Sequence, residues 1–167
     1  PDRDHPLRAM LHEQYRMHPG ISRVVSRTFY AGRLRDAQSV RNGAHAGPAV
    51  MLLDSRRLAP RSASTATGSK HNDVHARLVA DLVAKAPARA IAVIAPYRAQ
   101  VRAIRDAVRA VDPRGLASGR VEVFTVHRFQ GRDKDAVIFD TCEAPGTPAR
   151  FLSEVHNKDA PNLVNVA

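Results

Sequence analysis

Ala90-Ile91-Ala92-Val93-Ile94-Ala95-Pro96-Tyr97-Arg98-Ala99-Gln100 opens with six apolar residues and then changes period. An uninterrupted apolar run of that length is what a strand covered on both faces requires. From Tyr97 to Val111 the spacing turns helical. Val101, Ile104, Val108 and Val111 make an apolar stripe, and Arg98, Arg102, Arg105 and Arg109 make a second stripe on another side. Further along, Val121-Glu-Val-Phe-Thr-Val126 and Ala136-Val-Ile-Phe-Asp140 repeat the strand pattern, separated by the polar stretch 127–135. Toward the N-terminus, Asn72 suits a helix cap, and Val74, Leu78, Leu82 and Val83 keep helical spacing until Pro87. Ala49-Val-Met-Leu-Leu-Asp54 reads as one more buried strand. Pro19 to Phe29 reads as a helix, with Pro19 in its first turn and Ile21, Val24, Val25 and Phe29 on one face. Residues 36–48, the Ser/Thr/Arg-rich stretch 55–71 and the chain beyond Glu143 lack periodicity and are expected to be loops, 55–71 a flexible one. Strands alternating with amphipathic helices describe an α/β domain on a mainly parallel sheet.

A length of 167 residues suits a single domain over 1–167, and 44% apolar with 25% charged residues excludes wholesale disorder. No apolar run reaches the roughly 18 residues of a membrane helix, no signal peptide opens the chain, and no membrane partner is expected. The single cysteine, Cys142, excludes an internal disulfide and a thiolate zinc site, which points to a reducing, cytoplasmic or nucleoid-associated setting. Lys and Arg number 26 against 16 Asp and Glu, a net +10, and residues 1–70 hold +7 of it. Such an excess fits an anionic partner, nucleic acid or nucleotide. It equally fits a solvated basic surface, and 22 Arg to 4 Lys fits a base-composition bias.

A phosphate-cradling G-x-x-x-x-G-K-[ST] loop is missing, as are a G-x-S-x-G elbow, an H-E-x-x-H pair and an acidic metal cluster. Self-contained catalysis is therefore not expected. In open α/β sheets ligands bind beyond the carboxyl ends of strands, here after Ala95, Thr125 and Asp140. Three segments carry residue types suited to phosphates and rings. They are Leu11-His-Glu-Gln-Tyr-Arg-Met-His-Pro19, Ile94-Ala-Pro-Tyr-Arg-Ala-Gln100, and Val123-Phe-Thr-Val-His-Arg-Phe-Gln-Gly-Arg-Asp-Lys-Asp135.

In that order they resemble the second RecA-like domain of superfamily 1 helicases, in the branch of the nonsense-mediated-decay helicase and Senataxin-like enzymes. Gln14-Tyr-Arg-Met-His-Pro19 is similar to the family's Q-Y-R-M-H-P, and Pro96-Tyr-Arg-Ala-Gln100 to its P-Y-x-x-Q. Thr125-Val-His-Arg-Phe-Gln-Gly-Arg-Asp133 is similar to T-V-x-x-F-Q-G-x-E, and Leu163-Val-Asn-Val-Ala167 to the start of L-V-N-V-A-x-[TS]-R-A. The resemblance covers nearly the whole chain. It implies a RecA-like fold of the P-loop NTPase type, a parallel sheet flanked by helices, without a P-loop of its own.

By the same resemblance, Gln14, Tyr15, Arg16 and Asp133 belong to the nucleotide side. Tyr15 matches the ring that stacks on adenine. Arg16 matches the guanidinium that reaches the γ-phosphate, where a planar charged fork stabilises the transferring group and makes Arg16 the catalytic residue. Asp133 stands one methylene short of the family's sugar-contacting Glu. Thr125, His127, Gln130 and Gly131 match the turn that touches a single strand of DNA or RNA, and Tyr97, Arg98 and Gln100 the segment beside its backbone. ATP and Mg²⁺ are implied for the whole protein, held mainly by an N-terminal RecA-like domain that is this chain's expected partner. The chain ends before the family's T-R-A arginine. It is expected to be a fragment of an ATP-dependent 5′→3′ helicase, inactive alone. The alternatives are a stand-alone nucleic-acid-binding module and an α/β domain whose basic face binds an acidic protein.

Overall fold

A computed structural model describes residues 10–44, 47–129, 133–146, 152 and 158. The chain divides into two units, residues 1–53 and 54–167. In the first, β1 (Glu13–Gln14) and β2 (Arg35–Asp36) pair in parallel, Glu13 beside Arg35 and Gln14 beside Asp36. Parallel neighbours need a crossover. It is α1 (Pro19–Phe29), which starts where the His18 ring accepts a hydrogen bond from the Gly20 N–H at 3.1 Å. α2 (Gln38–Asn42) follows β2.

Two expectations are corrected here. α1 buries Ser22 and Ser26, while Ile21 and Val24 are exposed. The small side chains decide it: Ser26 Oγ both accepts from the Leu34 N–H and donates to the Leu34 carbonyl at 3.1 Å, which draws the chain leading into β2 tight against the helix. Nor is there a strand over residues 49–54. Val50, Met51, Leu52 and Leu53 are exposed, Leu52 to 95%. A strand exists through its ladder, and none meets this run among the described residues.

The second unit begins with a 3-10 turn (Arg56–Leu58) and an antiparallel pair, β3 (Ala63–Ser64) and β4 (Lys70–His71). The stretch 55–71 thus holds local structure that its composition hid. Thr65 organises the turn by accepting from the Ser69 N–H through Oγ1 at 3.1 Å, with Gly68 at φ +78°. α3 (Asp73–Lys85) follows, capped by Asn72, whose Oδ1 accepts from the His75 N–H at 3.2 Å. Then come β5 (Ile91–Ala95), α4 (Arg98–Val111), α5 (Pro113–Ala117), β6 (Val121–Thr125), α6 (Val126–Phe129) and β7 (Ala136–Phe139).

The three longer strands form one parallel sheet in the order β6-β5-β7, with Ala95 beside Thr125 and Ile94 beside Phe139. Every residue of β5 is fully buried, as a central parallel strand demands. Val79, Ala80 and Val83 of α3 and Val101, Ile104 and Val108 of α4 pack on one side of the sheet with Ile91, Val93, Val121 and Val123. Ala92, Ile94, Val126 and Phe129 form a second cluster, flanked by Phe124 and Phe139. The fold is α/β, a parallel sheet flanked by helices. Between β6 and β7 the chain crosses from one side of β5 to the other, the strand-order reversal at which such sheets bind ligands.

The α4–β6 connection turns on Asp112. Its carboxylate accepts from the Gly115 N–H at 2.8 Å and from Arg120 at 2.6 Å. Those bonds, Arg120 foremost, hold its carboxyl below the usual value. A Cβ on Gly115 would stand 1.9 Å from Asp112 Oδ2, so only glycine fits the cap. Asp112→Ala is expected to cost about 1–2 kcal/mol in urea unfolding. Because the folded carboxyl titrates low, this contribution is present above about pH 4 and is lost as pH falls through the folded-state value. A variant whose acid unfolding matches the wild type throughout would contradict that role.

Candidate functional site

In the first unit the motif Gln14-Tyr15-Arg16 forms a turn built around one amide. Gln14 is buried, and its Oε1 accepts from the N–H groups of Arg16 at 2.9 Å and Met17 at 2.6 Å. Its Nε2 donates to the Met17 carbonyl at 2.8 Å and to Asp36 Oδ1 at 2.6 Å. All the hydrogen-bonding capacity of the amide is thereby used. Within the described residues Gln14 thus shapes the turn that carries Tyr15 and Arg16. Partial burial raises the Asp36 pKa, but bonds from Ser22 and Gln14 and the charges of Arg41 and Arg23 outweigh it and leave the carboxyl below its ordinary value. Tyr15 and Arg16 are turned outward, the Tyr15 ring 70% exposed. The Tyr15 hydroxyl donates to Glu13 at 2.9 Å, and this bond holds the phenol above its usual pKa.

In the second unit the carboxyl rim of the sheet brings together four of the other predicted residues. Thr125 ends β6 half-buried, and His127 follows it exposed on α6. One strand over, Tyr97 is half-buried and Arg98 exposed at the start of α4. The β5–β6 register brings these two pairs to the same rim. Asp133 is exposed, and Gln130 and Gly131 lie outside the described residues. Gln100 is not at the surface. It is fully buried, with Oε1 accepting from the Asn72 N–H at 2.6 Å and Nε2 donating to Asp140 Oδ2 at 2.6 Å and the Asn72 carbonyl at 3.2 Å. It ties the cap of α3 to α4 and to the end of β7.

That tie extends. Asp140 Oδ1 bonds His75 Nδ1 at 2.8 Å and accepts from the Cys142 N–H at 2.9 Å, and His75 Nε2 meets Ser55 Oγ at 2.8 Å. The order Ser55–His75–Asp140 is that of a nucleophilic triad. The N–H beside Ser55, that of Arg56, is however taken by Asp54 at 3.0 Å, so no oxyanion donor is offered there. The three act as a clamp beneath the rim, His75 and Asp140 buried and Ser55 half-buried. Cys142, at φ +62° and fully buried, sits on it, and burial pushes its thiol up to about 12. Such a thiol is inert at neutral pH.

Sequence reasoning missed a charged cluster at the same rim. Glu143 takes Lys70 Nζ at 3.3 Å on one oxygen and the Tyr97 hydroxyl at 3.2 Å on the other. Lys70 lies 5.7 Å from the centroid of the Tyr97 ring. The signal was the position of Glu143 just beyond Asp140, at a strand's carboxyl end. Its partners are 73 and 46 residues away in sequence, beyond any local pattern. A groove of about 440 Å³ along α3 and α4 is lined by Arg77, Arg102, Asp73 and Asp106 over an alanine floor. Among the described residues no group of three His, Cys, Asp or Glu could hold a metal, so they offer Mg²⁺ no cage. No described helix is long and apolar enough to cross a membrane.

The AAA domain family matches residues 3–157. The chain is 30% identical over 142 residues to helicase sen1 of Schizosaccharomyces pombe, covering 78% of this chain and 8% of that protein. It is 33% identical over 152 residues to probable helicase MAGATAMA 3 of Arabidopsis thaliana, covering 81% and 18%. To DNA-binding protein SMUBP-2 of Rattus norvegicus it is 32% identical over 146 residues, covering 77% and 14%. The matched segment thus spans less than a fifth of each of these three relatives. With its motifs, its parallel sheet and these relatives, the chain belongs to the AAA domain family and resembles the second RecA-like domain of Sen1-type superfamily 1 helicases.

Proposed function

We propose that this chain is the second motor domain of an ATP-dependent superfamily 1 helicase. In this reading Tyr15 and Arg16 supply one wall of the ATP cleft, and Thr125, His127, Tyr97 and Arg98 supply part of the single-strand track. The observation that carries it is the turn held by Gln14. Its amide satisfies the backbone from within and leaves the consecutive Tyr15 and Arg16 exposed. That pair fits a nucleotide held from the other side, the ring by stacking and the fork by charge on phosphate oxygens. ATP, when bound, supplies the phosphoryl group whose transfer drives motion. The chain's own task is then to orient Arg16 and keep Tyr15 ready to stack. At the other site, a hydroxyl, an imidazole and Arg98 at one rim suit phosphate and base contacts of a strand.

The test of the strand track is titration of the 167-residue chain with a labelled oligothymidylate and an oligouridylate of equal length at several salt concentrations. The expected result is binding that weakens as salt rises, with a log–log slope of about −0.7 per phosphate contacted. Thr125→Ala with His127→Ala should weaken it about tenfold or more, in line with about 1–3 kcal/mol per lost stacking or hydrogen-bond contact. Absence of affinity at low salt would favour the acidic-protein reading and sink the strand track.

A further inference from the structure

Three segments far apart in sequence deliver one charged cluster to the rim. Lys70 opens β4, Tyr97 joins β5 to α4, and Glu143 follows β7. The side chains of Lys70 and Glu143 are 12% and 15% exposed, so both charges are largely withdrawn from water. A withdrawn pair contributes little net stability unless its geometry is excellent, and at 3.3 Å this one is long. What Glu143 does accomplish is occupation. One carboxylate engages an ammonium and a phenolic O–H, the two donors here best suited to a phosphate oxygen. Around it the first turn of α4 carries Arg98 and no acid, and α6 carries His127 and Arg128; the nearby acid at the end of β7, Asp140, is buried and bonded to His75, Gln100 and the Cys142 N–H.

We infer that Lys70 is an additional phosphate contact of the single-strand site and that Glu143 holds it in reserve. A backbone phosphodiester displaces the carboxylate and takes over the same donors. The inference rests on the strand-track reading of this rim. Its consequence is a contact that is made and released against an internal competitor, which weakens each grip and eases the letting go that stepping along a strand requires.

The experiment compares wild type, Glu143→Gln, Lys70→Met and the double variant of the 167-residue chain by anisotropy with a labelled oligothymidylate across a salt series. Glu143→Gln keeps an acceptor for the Tyr97 hydroxyl but removes the charge. It is expected to tighten binding about fivefold at low salt, while Lys70→Met should flatten the salt slope by about 0.7, one phosphate fewer. In the double variant the gain should vanish. Inorganic phosphate and ATP, run as competitors, separate a strand contact from a general anion site. Equal responses of wild type and Glu143→Gln to both are expected, and a selective gain toward either would overturn the strand assignment. A second readout needs no substitution. The chain has four lysines, and after reductive ¹³C-methylation the Lys70 signal should move when the oligonucleotide is added. Wild-type affinity in Glu143→Gln, an unchanged slope in Lys70→Met, a gain that survives loss of Lys70, or a stationary Lys70 signal would overturn the inference alone. Absence of strand binding in all four proteins would overturn it together with the strand track.

Discussion

Arg16→Ala in the full-length protein is expected to lower strand-stimulated ATP hydrolysis by about a thousandfold or more, with the fold intact. The magnitude is that of a guanidinium acting on charge in a phosphoryl-transfer transition state. The intact fold follows from the turn: its hydrogen bonds run through the Gln14 amide and the backbone N–H groups of Arg16 and Met17, all of which survive truncation of the Arg16 side chain. Arg16→Lys should recover little, because a point charge lacks the fork that grips two oxygens. Gln14→Ala separates positioning from chemistry. It strips two N–H groups and Asp36 of a partner, so stability should fall by about 1–3 kcal/mol alongside turnover. Full turnover in Arg16→Ala, or equal loss of stability in both variants, would count against the division of labour.

Asp140→Ala is expected to be the most destabilising single change in the second unit, about 3–5 kcal/mol in urea unfolding. One carboxylate serves His75, Gln100 and the Cys142 N–H, and its removal leaves each of them buried without that partner. Asp140→Asn, which keeps the shape and one acceptor, should cost less. The loss would propagate, since Gln100 also holds the cap of α3. A cost below about 1 kcal/mol would mean that the network is not what ties β7 to the two helices.

The strand-to-helix change at Pro96 was legible because both periods are long and uninterrupted, and a central parallel strand has no polar side to confuse the pattern. Less was legible in α1. The stripe Ile21, Val24, Val25 and Phe29 is real as a sequence pattern, yet close approach at Ser22 and Ser26 decides which side of the helix is buried. Residues 49–54 read as a strand because composition reports apolarity and says nothing of a ladder. The motif residues divide in the same way. The resemblance picks out Gln14 and Gln100 with their neighbours, and in the fold both amides turn inward to satisfy backbone and carboxylate groups. Lys70 and Glu143 meet only after the sheet has formed, so no window along the chain contains both.

The outward placement of Tyr15 beside Arg16, as the nucleotide-facing side of a motor domain, is best tested by photolabelling the full-length protein with an adenine-azido ATP analogue and mapping the adduct by mass spectrometry. The tryptic peptide running from Ala9 to Arg16 should carry the label on Tyr15, and unmodified ATP should suppress it. An ATP-suppressible label confined to other parts of the protein, with that peptide unmodified, would contradict the assignment.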